Sequence, residues 1–306
     1  MAARSSSIVN AFAVQPDADT AATGPFTALL KRSGGFSSTT AEIDEGTETD
    51  TLLASATLPG SKTHTAQFTC TFRELIYDDF LRSAYAADWV GDGTNDLMTM
   101  GKTPVYLTFA VETSYLNDPN RHYTLYTGCQ VSNLAFAFPQ DGVITMTMDI
   151  GAANKSNPTT APWGSLVQPA NKNPLRTCTA LTSVRIDGNE VQSVIENNTY
   201  TIARANEEIF DSRQCDPAEI ILGTAAVSGN INAYHDDECD QWHRDADNDV
   251  KYAIDHTITG ETKTYRFNTP IANNKSPGFD PTGANVTVDL PFGAETTPPT
   301  INRDNV

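Results

Sequence analysis

Residues 235–249 gather the side chains best suited to holding a metal. His235, Cys239 and His243 are four apart, so a helix would put two imidazoles and a thiol on one face, donors that suit zinc. A closed site needs a fourth ligand and an oriented outer shell, and the sequence supplies neither. The competing reading is a solvated acidic helix whose Cys239 or Trp242 face packs inward. Asp245, Asp247 and Asp249 then start like a calcium loop, but Val250 stands where the turn glycine belongs and His256 where the bidentate glutamate belongs. Templates for hydrolysis, phosphate binding and dinucleotide binding are missing, and the five histidines have no local partner pattern. The expectation is a protein that is not an enzyme, with no catalytic residues, no cofactor and no metal site.

The elements carrying these residues are set by composition. The chain has 306 residues, 39% hydrophobic and 19% charged, enough for a packed core and unlike a disordered chain or a coiled coil. Lys and Arg number 20 against 38 Asp and Glu, a net charge of -18 that disfavours binding to a phosphate backbone. No run reaches the roughly 20 apolar residues of a membrane-spanning helix. The short apolar run from Ile8 to Val14, broken at Asn10, is too weak for a secretory signal. Five scattered cysteines without a Cys-x-x-Cys pair suit free thiols made in a reducing cytoplasm.

Residues 1–25 are small and polar and are expected to form an arm, with ordered structure from Phe26. Glu42, Asp44, Glu45, Glu48 and Asp50 surround Gly46 without a base, as in a solvated loop or hairpin tip. Ala66, Phe68, Cys70 and Phe72 alternate with polar residues and predict a strand with one buried face. Between Glu74 and Trp89 the spacing changes to four, which predicts a helix. Val105 to Val111 alternates again, and Leu134 to Phe138, a turn at Asp141 and Gly142, and Ile144 to Ile150 predict a hairpin. A long Asn- and Pro-rich loop containing Trp163 follows, at 151–177. Strands are then expected at 181–186, 200–202, 220–233, 252–258, 265–267 and 286–290, with a second helix from Asp236 to about Ala246. The domain plan is therefore an arm (1–25), a β domain (26–290) in two halves, 26–150 and 178–290, and a flexible tail (291–306).

The order of three of these segments resembles the tail tube, or major tail, proteins of long-tailed bacteriophages with a non-contractile tail. The carrying stretches are ELIYDDFLRSAYAADW (74–89), YTGCQVSNLAFAF (126–138) and GVITMTM (142–148). The resemblance implies a mainly β fold, a β-sandwich or β-barrel with one or two flanking helices, an extended loop and terminal arms. It implies subunits that form rings, usually hexameric, which stack into a hollow tube. It also implies a place in the virion after synthesis in the host cytoplasm, and tape measure and tail terminator or tip proteins as partners beside the protein itself. Double-stranded DNA would pass through the lumen without specific binding. Six subunits would carry 6 × -18 = -108 charges, so an acidic lumen would repel the genome. Glu42, Asp44, Glu45, Glu48 and Asp50 are the candidate lumen-facing acids, and Trp163 marks the candidate ring-stacking loop. Two other classes share the composition: an acidic surface-binding β-sandwich, such as an adhesin or carbohydrate binder, and another virion component.

Overall fold

The computed structural model describes residues 8–44, 57–114, 120–170, 173–274, 278–280 and 286–306. Strands dominate, with three helices: α1 (Asp78–Tyr85), α2 (Thr177–Ala180) and α3 (Asp237–Asp247). The strands form a sandwich-like arrangement that does not close into a barrel.

Seven strands lie side by side, all antiparallel: Ser33–Asp44, Thr57–Thr71, Thr145–Ala152, Arg121–Pro139, Ile195–Arg204, Ala225–Tyr234 and Thr287–Ala294. Lys263–Asn274 then pairs at its end with Thr287–Ala294 and nearer its start with Thr300–Asn305, while its other edge takes Lys251–Thr259. Arg121–Pro139 likewise changes partners. Its first part pairs with Leu107–Ser114, which in turn pairs with Ile8–Val14. The change comes at Gly128, whose φ of 63° and close approach to Ala153 leave no room for a side chain.

Period-two patterning explains the core. Alternate residues of Thr57–Thr71 and Thr145–Ala152 are buried, bringing Ala66, Phe68 and Cys70 against Met146, Met148 and Ile150. Phe72, Phe136, Phe267 and Tyr200 form a chain of rings 5.1–5.4 Å apart. Each fully buried Phe contributes about 1.5–3 kcal/mol by leaving water. His256 sits among these rings, stacked on Phe138 and Phe292, with Nε2 3.1 Å from Asn198 Oδ1. Burial pushes its imidazole down to about 3, so it is neutral in the folded protein.

Several expectations need correction. The helix expected over 74–89 is only eight residues long. At its start, Glu74 accepts hydrogen bonds from the amides of Thr262 and Lys263, and the Leu75 amide donates to Tyr265 Oη, so tertiary bonds displace helical ones. At its end, Ala86 adopts the left-handed conformation and stops it. The first described residues of the arm are a strand: Ile8–Val14 buries Ala11 and Phe12. The C-terminal residues expected to be flexible form Thr300–Asn305, paired on both sides. The β run expected over 220–233 is two strands, Pro217–Ile221 and Ala225–Tyr234. The loop over 151–177 includes two short strands, Asn154–Ser156 and Leu166–Val167, which pair with Arg121–Pro139 and Phe26–Ala28.

Candidate assembly surface

Ser33–Asp44 (12 residues) and Thr57–Thr71 (15 residues) form a long antiparallel pair whose outer parts project past the packed sheet. Register shows this: Thr145–Ala152 covers Thr57–Thr71 only from His64 to Thr71, leaving residues 57–63 without that neighbour. Residues 37–43 are exposed throughout, because Ser, Thr and Ala offer little apolar surface to bury. Phe36 is the last residue held by the core, stacked 3.9 Å from Tyr126. Beyond it, the Thr39 and Thr63 hydroxyls bond at 2.6 Å, and Ile43 and Leu58 pair across the strands, each 53% exposed.

The outer edge of Ser33–Asp44 has no strand beside it among the described residues. Soluble proteins ordinarily blunt such an edge with Lys, Pro or a covering loop, because a row of free amides and carbonyls templates further pairing. Here Ser33 to Ala41 contains neither Lys nor Pro, and Lys31 Nζ reaches only its near end, donating to Gly34 O at 2.5 Å. Gly34, at φ 105°, presses its backbone against Gln67 O, so the strand stays close to its one partner.

A small two-stranded flap, Glu207–Phe210 with Pro217–Ile221, covers the inner part of this hairpin. Its fastening is polar. His64, buried, places Nε2 2.9 Å from Asp216 Oδ1 and Nδ1 2.9 Å from Ser38 Oγ, and the Lys62 amide donates to Cys215 O at 2.8 Å. Ser, His and Asp are the residue types of a hydrolytic relay. The hydroxyl here is also approached by Lys155 Nζ at 3.3 Å, so the cluster clamps four chain segments together. Between flap and sheet runs a groove of 840 Å³ lined by Gln67, Asp149, Glu207, Glu208 and Phe210. Burial raises the Glu208 carboxyl above its ordinary range.

Of the acids singled out in the sequence, Glu42 is exposed on the projecting strand and Asp44 ends that strand. Glu45, Glu48 and Asp50 lie outside the described residues. Trp163 is half-buried, its ring 6.2 Å from Phe26 and 5.6 Å from Tyr123, so it holds the 157–165 segment against the sheet. Cys239 turns inward toward Ser193 and Tyr234 O, while His235 pairs with Asp240. Asp245 bonds Gln241 and Tyr252, whereas Asp249 bonds Lys251, so the calcium-like run diverges. Among the described residues no three His, Cys, Asp or Glu side chains converge on a metal-sized point.

The sequence did not reveal the His64–Asp216 clamp, whose members are 152 positions apart, or the unblunted edge. The edge left one signal: five small residues, Ser37 to Ala41, without a base between Phe36 and the acidic run.

A sandwich-like β subunit with an open hairpin edge is suited to a structural role, in which a surface makes contact with further chains. Residues 7–295 match the model of the phage tail tube protein family, and the chain belongs to that family. It is therefore a structural component of the virion tail, in a family not known for enzymatic activity. Among curated proteins no sequence matches it. Among the described residues no helix is long and apolar enough to cross a membrane.

Proposed function

We propose that this protein forms the tail tube of a siphophage, a long-tailed phage with a non-contractile tail, by closing into hexameric rings that stack into a conduit for double-stranded DNA during ejection. The observation that carries this reading is the exposed, unblunted edge of Ser33–Asp44. Pairing that edge with a neighbouring copy would satisfy its free backbone groups and extend the sheet around a ring. An excess of 18 acidic charges per subunit keeps a lumen repulsive to phosphate, so the genome slides rather than sticks. In this reading Glu42, Asp44, Glu45, Glu48 and Asp50 face the channel, and the Trp163 segment contacts the next ring. The protein's partners in this reading are further copies of itself, the tape measure protein and the tail terminator or tip proteins.

Negative-stain electron microscopy of the purified protein over a concentration and salt series, beside size-exclusion chromatography, tests the proposal. Hollow tubes or stacked rings of uniform width are expected. A monomer that stays monomeric at every concentration, and also when offered tail tips as initiators, contradicts it. A reconstruction of the tube with Glu42 on its outer wall would refute the acidic-lumen part alone.

A further inference from the structure

Arg204 is the most conspicuous uncompensated charge in the fold. It is 7% exposed, yet its guanidinium meets only backbone oxygens: Ala84 O at 2.6 Å, Tyr85 O at 2.9 Å, Gly101 O at 3.1 Å and Gly223 O at 3.5 Å. Two of these are the last carbonyls of α1, which favour a cation. Two other half-buried arginines are paired with acids. Arg303 lies between Asp78 and Asp96, and Arg82 between Asp79 and Asp88. Among the described residues no carboxylate pairs with Arg204, in a chain where acids outnumber bases 38 to 20.

Arg204 and Lys102 both line a cleft of 570 Å³, together with Met100, Leu222, Val227, Pro298 and Pro299. Lys102 is exposed and makes no ion pair or hydrogen bond among the described residues. Glu295, an acid of the same lining, is turned to Lys251 at 3.4 Å and Asn273 at 2.7 Å. Two cations, one desolvated and one free, thus share an amphipathic recess: a receptor for a carboxylate flanked by apolar groups.

The register locates this recess relative to the open edge. Gly35, Gln67, Asp149, Asn133 and Ala203 lie in one row across the sheet, and Arg204 is one residue further toward the end from which the hairpin projects. Edge and recess are thus at the same end of the sheet, four strand spacings or about 19 Å apart. A closed ring needs two different patches of this kind, one on each side of the subunit.

We propose that the Arg204–Lys102 cleft receives a carboxylate-bearing segment of a second copy of this chain, and so forms the second half of the subunit contact. The proposal rests on the tube reading. Charge complementarity selects the occupant: an acidic chain that self-associates needs cationic receptors to offset repulsion, and this cleft holds cations its own acids leave unused.

The test uses the full chain and compares wild type, Lys102→Glu and Lys102→Arg. The exposed Lys102 leaves the fold intact, which the thermal midpoint checks. K102E is expected to raise the concentration needed for assembly about tenfold or more, and K102R to restore it. Carbodiimide cross-linking of assemblies mixed from light and heavy isotope-labelled copies is expected to join Lys102 to an Asp or Glu of another copy. Assembly of K102E at the wild-type concentration, or links from Lys102 only within one copy, overturns this inference and leaves the tube reading intact. Wild type that never assembles contradicts the tube reading and this inference with it.

Discussion

Two strands at the margins of the sandwich are held in opposite ways. Thr300–Asn305 is paired on both edges and locked by Arg303, which bonds Asp78 and Asp96 and lies 4.4 Å over the Trp89 ring. Burial pushes the Asp78 carboxyl up against the pull of Arg303, while hydrogen bonds from Arg303 hold Asp96 below the usual carboxylate range. Among the described residues Ser33–Asp44 has one strand partner, exposed hydroxyls and an outer edge with no strand beside it. The first strand spends buried charge on closing the fold. The second leaves backbone groups open, and the proposed ring contact would pair them with a neighbouring copy.

The contrast can be broken most forcefully at Arg303. Removing its side chain in Arg303→Ala leaves two acids, 15% and 4% exposed, without their cation, and a loss of about 3–5 kcal/mol is expected in urea denaturation. Acid attacks the interior next. His256 is neutral when folded and its folded pKa, at about 3, lies below the unfolded value near 6.5, so between those values the unfolded chain binds the extra proton. Stability should therefore fall by about 1.4 kcal/mol per unit as pH drops below 6.5. The slope of thermal midpoint against pH should flatten in His256→Gln.

Smaller effects sharpen the comparison. Asp236 caps α3, its Oδ1 accepting from the Glu238 and Cys239 amides at 3.0 and 3.1 Å, and Asp236→Ala should cost about 1 kcal/mol by chemical denaturation. The smallest effect on stability belongs to the open edge. Ser37→Lys with Ala41→Lys should change unfolding free energy by no more than about 0.5 kcal/mol, since both residues are exposed. Their effect on assembly should be the largest of all.

Where neighbours in sequence are neighbours in space, the pattern showed. The Leu134–Ile150 hairpin, the Asp187–Gly188 turn with φ of 51° and 79°, and the helix α3 were all legible. Illegible parts depend on distant partners. Ile8–Val14 is a strand because Leu107–Ser114 lies beside it, and its Gln15 accepts from the Gly128 amide. Thr300–Asn305 gains its anchor from acids more than 200 positions earlier. Spacing alone extended α1 beyond its true ends because Tyr77 and Trp89 are packed by tertiary contacts and not by helical turns. Ser33–Asp44 had no apolar alternation to read, since most of its side chains remain in water.

The most direct test compares wild type with the Ser37→Lys/Ala41→Lys variant by electron microscopy at matched protein concentration, after circular dichroism has shown both folded. The expected result is hollow tubes or stacked rings from wild type and dispersed subunits from the variant. Tubes of normal width and number from the variant would contradict a role for the Ser33–Asp44 edge in building the tail tube.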